Sequence, residues 1–337
     1  MNKEYNIALI GEIDGCIEAT LEVLLKRDFA INNIFPLSIG ESETTSVMYS
    51  GKPVDVLEIE SFDWQQVDIA LFLADRKVAQ EWIPIAKEHC VVIDISGYYL
   101  EDPEVPLVQM GINDDEIARY SESNIIAIPS PETAQLTLAI KQIHQEVGIK
   151  RVTVASYQSV SCIGKAGITA LAGETALLLN AKGIEQRRFK QQIAFNIIPQ
   201  IDEFNEDGIT FSELRLAAET RRLLNDPEMV VSTTQVVVPM FYGCSQAVHV
   251  VTHYPVELEE VANALHHSDN IVLSESVGDY ANMIDDVVGN VEVHVGRLRK
   301  DTCDAAGLNM WVCADNVHYG IATNAVLVME KLAYTYL

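Results

Sequence analysis

Apolar and polar positions follow two different rhythms along this chain. Over the first 130 or so residues, short apolar runs alternate with stretches of helical spacing. Tyr5–Ile10 reads as a strand ending at Gly11, and a helix follows from Gly15 to Lys26 with Ile17, Leu21, Val23 and Leu24 turned inward. Ile34–Ser38, Ser46–Tyr49 and Val54–Glu58 read as strands. Val67–Leu73 is continuously apolar, as in a strand covered on both faces of a parallel sheet. A helix from Arg76 to His89 and a strand at Val91–Asp94 continue the alternation. Strand–helix alternation of this kind predicts a doubly wound, dinucleotide-binding type of domain.

The turn after the next apolar run, Ile125–Ile128, is chemically the most informative stretch. Ser130 has the chemistry of an N-cap, Pro131 suits a first helical position, and Glu132 places negative charge at the positive end of the helix dipole. A strand–turn–helix start is also a place where enzymes set nucleophiles, because the dipole and free amides stabilise an anion. Here the turn offers only the Ser130 hydroxyl, which reads more simply as a cap.

Beyond the helix Glu132–Glu146 the rhythm changes. Val152–Gln158 is a strand, a long helix runs to Asn180, and Phe211–Leu224 is a helix stopped before Asp226-Pro227. Long alternating strands follow at Val230–Met240, Ala247–His253 and Glu292–Leu298. Thr302–Ala314 reads as a hairpin around Gly307, and Ile321–Tyr334 as a last helix that returns to the first domain. This block predicts a mostly antiparallel sheet with helices on one side.

Charge and cysteine usage narrow the function classes. The 337 residues carry 23 Lys and Arg against 49 Asp and Glu, a formal charge of −26. Nucleic acid and anionic membrane surfaces both require a basic footprint, so neither is expected as a partner. No signal peptide is visible at the N-terminus, and no apolar run reaches the roughly 20 residues that span a bilayer. Six cysteines without a CxxC pair fit buried thiols in a reducing cytoplasm. His266-His267 reads as a helix C-terminus rather than a ligand pair, and no metal site is expected.

VDIALF, VVID, DPEVPLV, SYQSVSCIGKAG, AFNIIPQID, DGITFSELRLAAETRRLL, GRLRKD and ADNVHYGIATNA occur in this order. Together they resemble the aspartate-β-semialdehyde dehydrogenase family over nearly the whole chain. The resemblance implies an α/β protein. A Rossmann-like domain would span 1–130 with 318–337, and an α+β dimerisation and substrate-type domain 131–317. The family's chemistry uses a cysteine thiolate, an acid/base histidine, substrate-binding arginines and NADP, in amino-acid biosynthesis.

Carried over position by position, the resemblance implies a depleted site. Its N-P-N-C-S-T-x-Q stretch falls on Ile128–Gln135, with Pro131 at the nucleophile, Ser130 before it and Gln135 retained. Cys244 stands at the histidine, and Val237 and Leu100 at the two arginines. Arg215 keeps a cation in the helix near Thr210. The phosphate-cradling first turn reads Gly11-Glu12-Ile13-Asp14-Gly15, and the cation for a 2′-phosphate falls near Glu41. Gly11, Ser161, Gly164, Lys165 and Asn324 remain as residual cofactor positions, with Asn316 also kept.

These replacements predict a catalytically inactive homologue of the Usg-like branch, acting as a dimeric interaction or regulatory protein. It would be a homodimer or a heteromer with an active paralogue. No cofactor is then expected, NAD is the one compatible nucleotide, and NADP is disfavoured by Glu41. The alternative is an NAD-binding, semialdehyde dehydrogenase-like oxidoreductase with altered chemistry. Its thiols Cys162 and Cys244, with His249 or His318, would be candidates for redox or metal chemistry, although buried inert thiols explain them more simply.

Overall fold

The computed structural model describes residues 3–40, 44–184, 189–276 and 278–337. The chain divides into two units, Met1–Ser130 with Gly320–Leu337, and Pro131–Tyr319.

The first unit is built on a six-stranded parallel sheet. Its strands are β1 (Tyr5–Gly11), β2 (Ile31–Ser38), β5 (Leu57–Glu58), β6 (Ile69–Leu73), β7 (Val91–Asp94) and β8 (Ile125–Ala127), in the order β5-β2-β1-β6-β7-β8. A small antiparallel pair, β3 (Ser46–Tyr49) and β4 (Lys52–Asp55), precedes β5. Every residue of β6 and β7 is buried, which is why these segments are apolar without alternation. The helices of this unit are α1 (Glu18–Arg27), α2 (Arg76–Ala86) and the C-terminal α7 (Asn324–Tyr336). α7 packs against α1, β7 and the 3-10 turn Asp114–Glu122. The Tyr5 hydroxyl donates to the Ala333 carbonyl at 2.7 Å, and Arg27 pairs with Glu330. The first helix begins later than its spacing predicts, because Ile13–Ile17 winds as a single π turn before α1.

The second unit holds a mixed sheet in the order β10-β9-β11-β14-β13-β12. Its strands are β9 (Ile149–Gln158), β10 (Val230–Val237), β11 (Cys244–Thr252), β12 (Ile271–Leu273), β13 (Val293–Lys300) and β14 (Gly307–Ala314). The three central pairings are antiparallel and the two edge pairings parallel. The helices are α3 (Pro131–Val147), α4 (Lys165–Leu179), α5 (Phe211–Leu223) and α6 (Leu258–His266). α3 covers the sheet and also contacts α5 and α6. Two expected boundaries are corrected. β10 stops at Val237, just before Val238-Pro239, because proline cannot donate to a ladder. Thr302–Ala314 is not a hairpin: β13 and β14 are the paired strands, and residues 301–306 form their connection. That turn closes with the Asp301 amide donating to the Gly307 carbonyl, and Gly307 has no room for a Cβ beside Asp301.

Among the described residues no helix is long and apolar enough to cross a membrane.

Candidate active site

The inner face of the second sheet is apolar at one end and polar at the other. Along β9 the inward residues run Val152, Val154, Ser156, Gln158. Gln235 on β10 and Gln246 on β11 extend the polar end, and all four polar side chains are buried. They are linked by donated hydrogen bonds, while Gln246 Oε1 is buried without a partner. Gln158 Nε2 donates to Gln235 Oε1 at 2.7 Å, and Gln235 Nε2 donates to the Ser212 carbonyl at 3.0 Å. Gln246 Nε2 donates to the Glu132 carbonyl at 2.9 Å and to Ser156 Oγ at 3.2 Å. This network ties the first turn of α3 to the sheet.

That first turn carries the sequence's candidate positions. Pro131 opens α3 and Gln135, 1% exposed, lies one turn in. Gln135 Nε2 donates to Cys244 Sγ at 3.6 Å, and Cys244, at the start of β11, is 2% exposed. Burial first, then the charge of Glu132, pushes the Cys244 thiol well above its ordinary range, against the opposing effect of the Gln135 bond. Cys244 is therefore a neutral thiol at neutral pH. Val237 is buried at the end of β10, where Ile198 bridges to it.

The turn before Cys244 is held by three backbone bonds. The amides of Ser159, Val160 and Ser161 donate to the carbonyls of Gly243, Met240 and Phe241. Asn316 locks the same turn: its Oδ1 accepts from the Gly243 amide at 2.8 Å and its Nδ2 donates to Ser161 Oγ at 2.9 Å. Gly243 has φ +91°, and a Cβ there would collide with the Met283 sulfur. Beside Asn316, Asp315 is fully buried and accepts from the amides of Gly289, Val317 and His318. Burial works against its charge, but the His318 ring at 3.1 Å and these amides prevail and hold its pKa below the usual range.

α4 starts at Lys165 behind Gly164, whose φ of +72° makes the corner, and Gly167 passes too close to the Val160 carbonyl to carry a side chain. Arg215, the retained cation of α5, is committed to a buried partner, with Nε donating to Glu219 Oε1 at 2.7 Å. Glu219 and the amide network were invisible as site features in the sequence; only the alternation on β9 hinted at them. His249 pairs with Asp301 at 2.8 Å, and His318 with Asp315. Among the described residues no group of three His, Cys, Asp or Glu side chains could hold a metal ion.

The structure thus brings Pro131, Gln135, Cys244, Ser161 and Asn316 into one unit, with Val237, Gly164 and Lys165. Leu100, Gly11 and Asn324 belong to the other unit. Gly11 ends β1 where a Cβ would fall 2.8 Å from the Leu73 carbonyl oxygen. Asn324, 4% exposed, opens α7. Among the described residues, Asn324 Nδ2 and Thr323 Oγ1 are buried without a hydrogen-bond partner. A buried donor without a partner is costly, so this pair fits a site that a polar ligand completes. Glu41 lies outside the described residues, as do Glu185–Arg188.

Comparison with known proteins follows this division. Residues 6–120 match the semialdehyde dehydrogenase NAD binding domain, and 140–319 the semialdehyde dehydrogenase dimerisation domain. The chain is 44% identical over 337 residues to aspartate-semialdehyde dehydrogenase 2 of Vibrio cholerae, covering all of both chains. It is 40% identical over 337 residues to aspartate-semialdehyde dehydrogenase of Shewanella violacea, again at full coverage. The crystal structure of aspartate semialdehyde dehydrogenase II from Vibrio cholerae complexed with ASA matches with a TM-score of 0.95 at 43% identity, over the full length of both chains.

These relatives overturn the expectation of an inactive interaction or regulatory protein, and they carry no assignment to a Usg-like branch. The replacements read at Pro131, Cys244, Val237 and Leu100 each concern a single side chain, while the domain that matches the NAD binding model is kept. The hydride chemistry belongs to the cofactor, whose domain is present. The expectation against NADP is likewise not supported. The chain belongs to the aspartate-semialdehyde dehydrogenase family.

Proposed function

We propose that this protein is a nicotinamide-dependent oxidoreductase acting on a small semialdehyde in amino-acid biosynthesis, with the step at the aldehyde carbon rearranged. The observation that carries the reading is full-length identity of 44% to a protein named aspartate-semialdehyde dehydrogenase 2.

Pro131 has no nucleophilic atom, so a thioester at that residue is not available. The aldehyde reacts instead as its hydrate. The C–H bond breaks with its electron pair leaving as hydride, one hydroxyl proton is released, and a carboxylic acid forms. NAD or NADP, held by the first unit, would accept the hydride. Gln135 and the neutral Cys244 thiol are buried against each other behind the start of α3, and Asn316 and Ser161 fix the turn that carries Cys244. Asn324 is the candidate donor to the nucleotide in the first unit. The match to a dimerisation domain supports a homodimer, testable by light scattering.

The test is a nicotinamide absorbance assay with aspartate semialdehyde and either nucleotide, with and without phosphate. Reduction of the nucleotide independent of phosphate is expected. Acyl phosphate formation that requires phosphate would overturn the hydrate route, and no reduction with either nucleotide would overturn the function.

A further inference from the structure

We propose that His294 on β13 is an acid-sensitive latch: a proton taken up by its ring releases the strap of residues 278–290 from the sheet and from the turn that carries Cys244. The device does not depend on the reaction proposed above.

The latch and the amide network lie on opposite faces of the second sheet. Gln158 and Cys244 are register partners. The neighbouring row, Tyr157, Ser245, Cys313 and His294, pairs across β9, β11, β14 and β13. Successive residues of a strand point to opposite faces, so this row looks away from the network.

Residues 278–290 close over that row. Met283 packs on Gly243, where a Cβ would strike its sulfur. Val287 is fully buried, and the Gly289 amide donates to Asp315 Oδ2 at 2.8 Å. A Cβ on Gly296, two residues beyond His294, would lie 3.7 Å from Tyr280. Between these anchors Asn282 Oδ1 caps the π turn Met283–Val287 through the Ile284 amide.

His294 is 7% exposed, and its Nε2 is buried without a hydrogen-bond partner among the described residues. A neutral ring tolerates this position at modest cost. An imidazolium does not, because its charge would be taken from water and Nε2 would donate where no acceptor lies.

Few charges bear on the ring. Of the strap's carboxylates Asp279, Asp285 and Asp286, only Asp286 acts on it, and Glu292 acts from the residues before β13. Both favour the protonated ring, but burial outweighs them and holds its pKa below the usual 6.5. Cys313, across the ladder, is a neutral thiol pushed up to about 12 by burial and by Asp286. Asp315, further along β14 on this face, is held below its usual 3.8 and stays ionised wherever His294 titrates. Ser245 on β11 and Val272 on β12, the remaining members of the row beside it, carry no charge. α6 packs on β13 together with α3, and its Glu259, Glu260 and His266 do not act on the ring.

With the strap lifted, the ring meets water and takes its proton at the ordinary value. Closure is therefore complete above about pH 6.5 and weakens as pH falls towards the lowered value of the closed form, by up to about tenfold per pH unit for a single proton. Opening frees the Gly243 turn from Met283, so acid loosens the segment that carries Cys244.

The test reads two exchange reactions by mass spectrometry. Deuterium exchange at the imidazole carbon should give His294 in the parent protein a midpoint below 6.5. Amide exchange, corrected for its intrinsic pH dependence, should show protection of residues 278–290 falling about tenfold or more from about pH 7 to about pH 5, while β9 stays protected. In His294→Gln, which takes up no proton, strap protection should change less than about twofold over that range. A His294 midpoint at or above 6.5, or an equal loss of strap protection in His294→Gln, overturns the proposal. Should that variant not fold, the parent decides alone: strap protection that does not follow the His294 titration overturns it equally.

Discussion

Gln135 Nε2 donates to the sulfur of Cys244 across 3.6 Å in the interior of the second unit, and both residues are almost wholly buried. The amide is one of few influences favouring a thiolate at that site; burial and the Glu132 charge oppose it more strongly. Cys244 should therefore resist alkylation at neutral pH in the native protein, while exposed Cys303 is modified first. Glu132→Gln removes the opposing charge, lowers the thiol pKa and should speed Cys244 labelling. Peptide mapping by mass spectrometry after timed labelling reads both outcomes.

A thiol restored at position 131 would meet the same electrostatics. It would lie beside Glu132 and, in this chain, have no imidazole at residue 244 to take its proton. Pro131→Cys alone should not make nucleotide reduction depend on phosphate. A phosphate-dependent rate from that single change would show that the remaining groups can activate a nucleophile.

Asn316 supports the Cys244 turn by two hydrogen bonds, one of them to a buried backbone amide. Asn316→Ala leaves the Gly243 amide without that acceptor and should cost about 1–3 kcal/mol. Urea unfolding of parent and variant measures this directly, with the change appearing in the midpoint rather than the slope.

Gly243 combines a positive φ with a crowded Cβ position. Gly243→Ala should destabilise the second unit through both backbone strain and collision with Met283. Met283→Ala in the same chain should relieve the collision but not the strain. The double variant is expected to recover only part of the lost thermal stability.

The Asp315 carboxylate has a pKa below its ordinary value of 3.8. A group depressed in the folded state adds stability above its unfolded pKa and loses it as pH falls through the folded value. The acid limb of unfolding should thus include Asp315, and Asp315→Asn should flatten that limb below about pH 4 while lowering stability at neutral pH. Thermal midpoints across an acid series provide the measurement.

Much of the architecture was legible because burial leaves a mark on composition. β6 and β7 are covered on both faces and read as unbroken apolar runs, and β9 alternates because one face meets α3. Boundaries were less legible where the competing geometries share a composition. Nothing local in Thr302–Ala314 says that β14 turns back on β13 rather than on itself. The site was legible only by analogy. Pro131 and Cys244 stood out against a family pattern, yet the pattern could not say what the remaining groups do. The contact between Gln135 and Cys244 joins residues 109 positions apart.

The first unit is assembled from both ends of the chain. Tyr5, in the first strand, bonds to Ala333, and α7 buries Ala325, Val326, Val328, Met329 and Leu332. On the ribosome, then, β1 must wait for α7. The intervening unit, contiguous from Pro131 to Tyr319, can finish folding before the first unit closes. Until α7 is made, the parallel sheet lacks the helix that seals it, and that helix is what lets its core become dry.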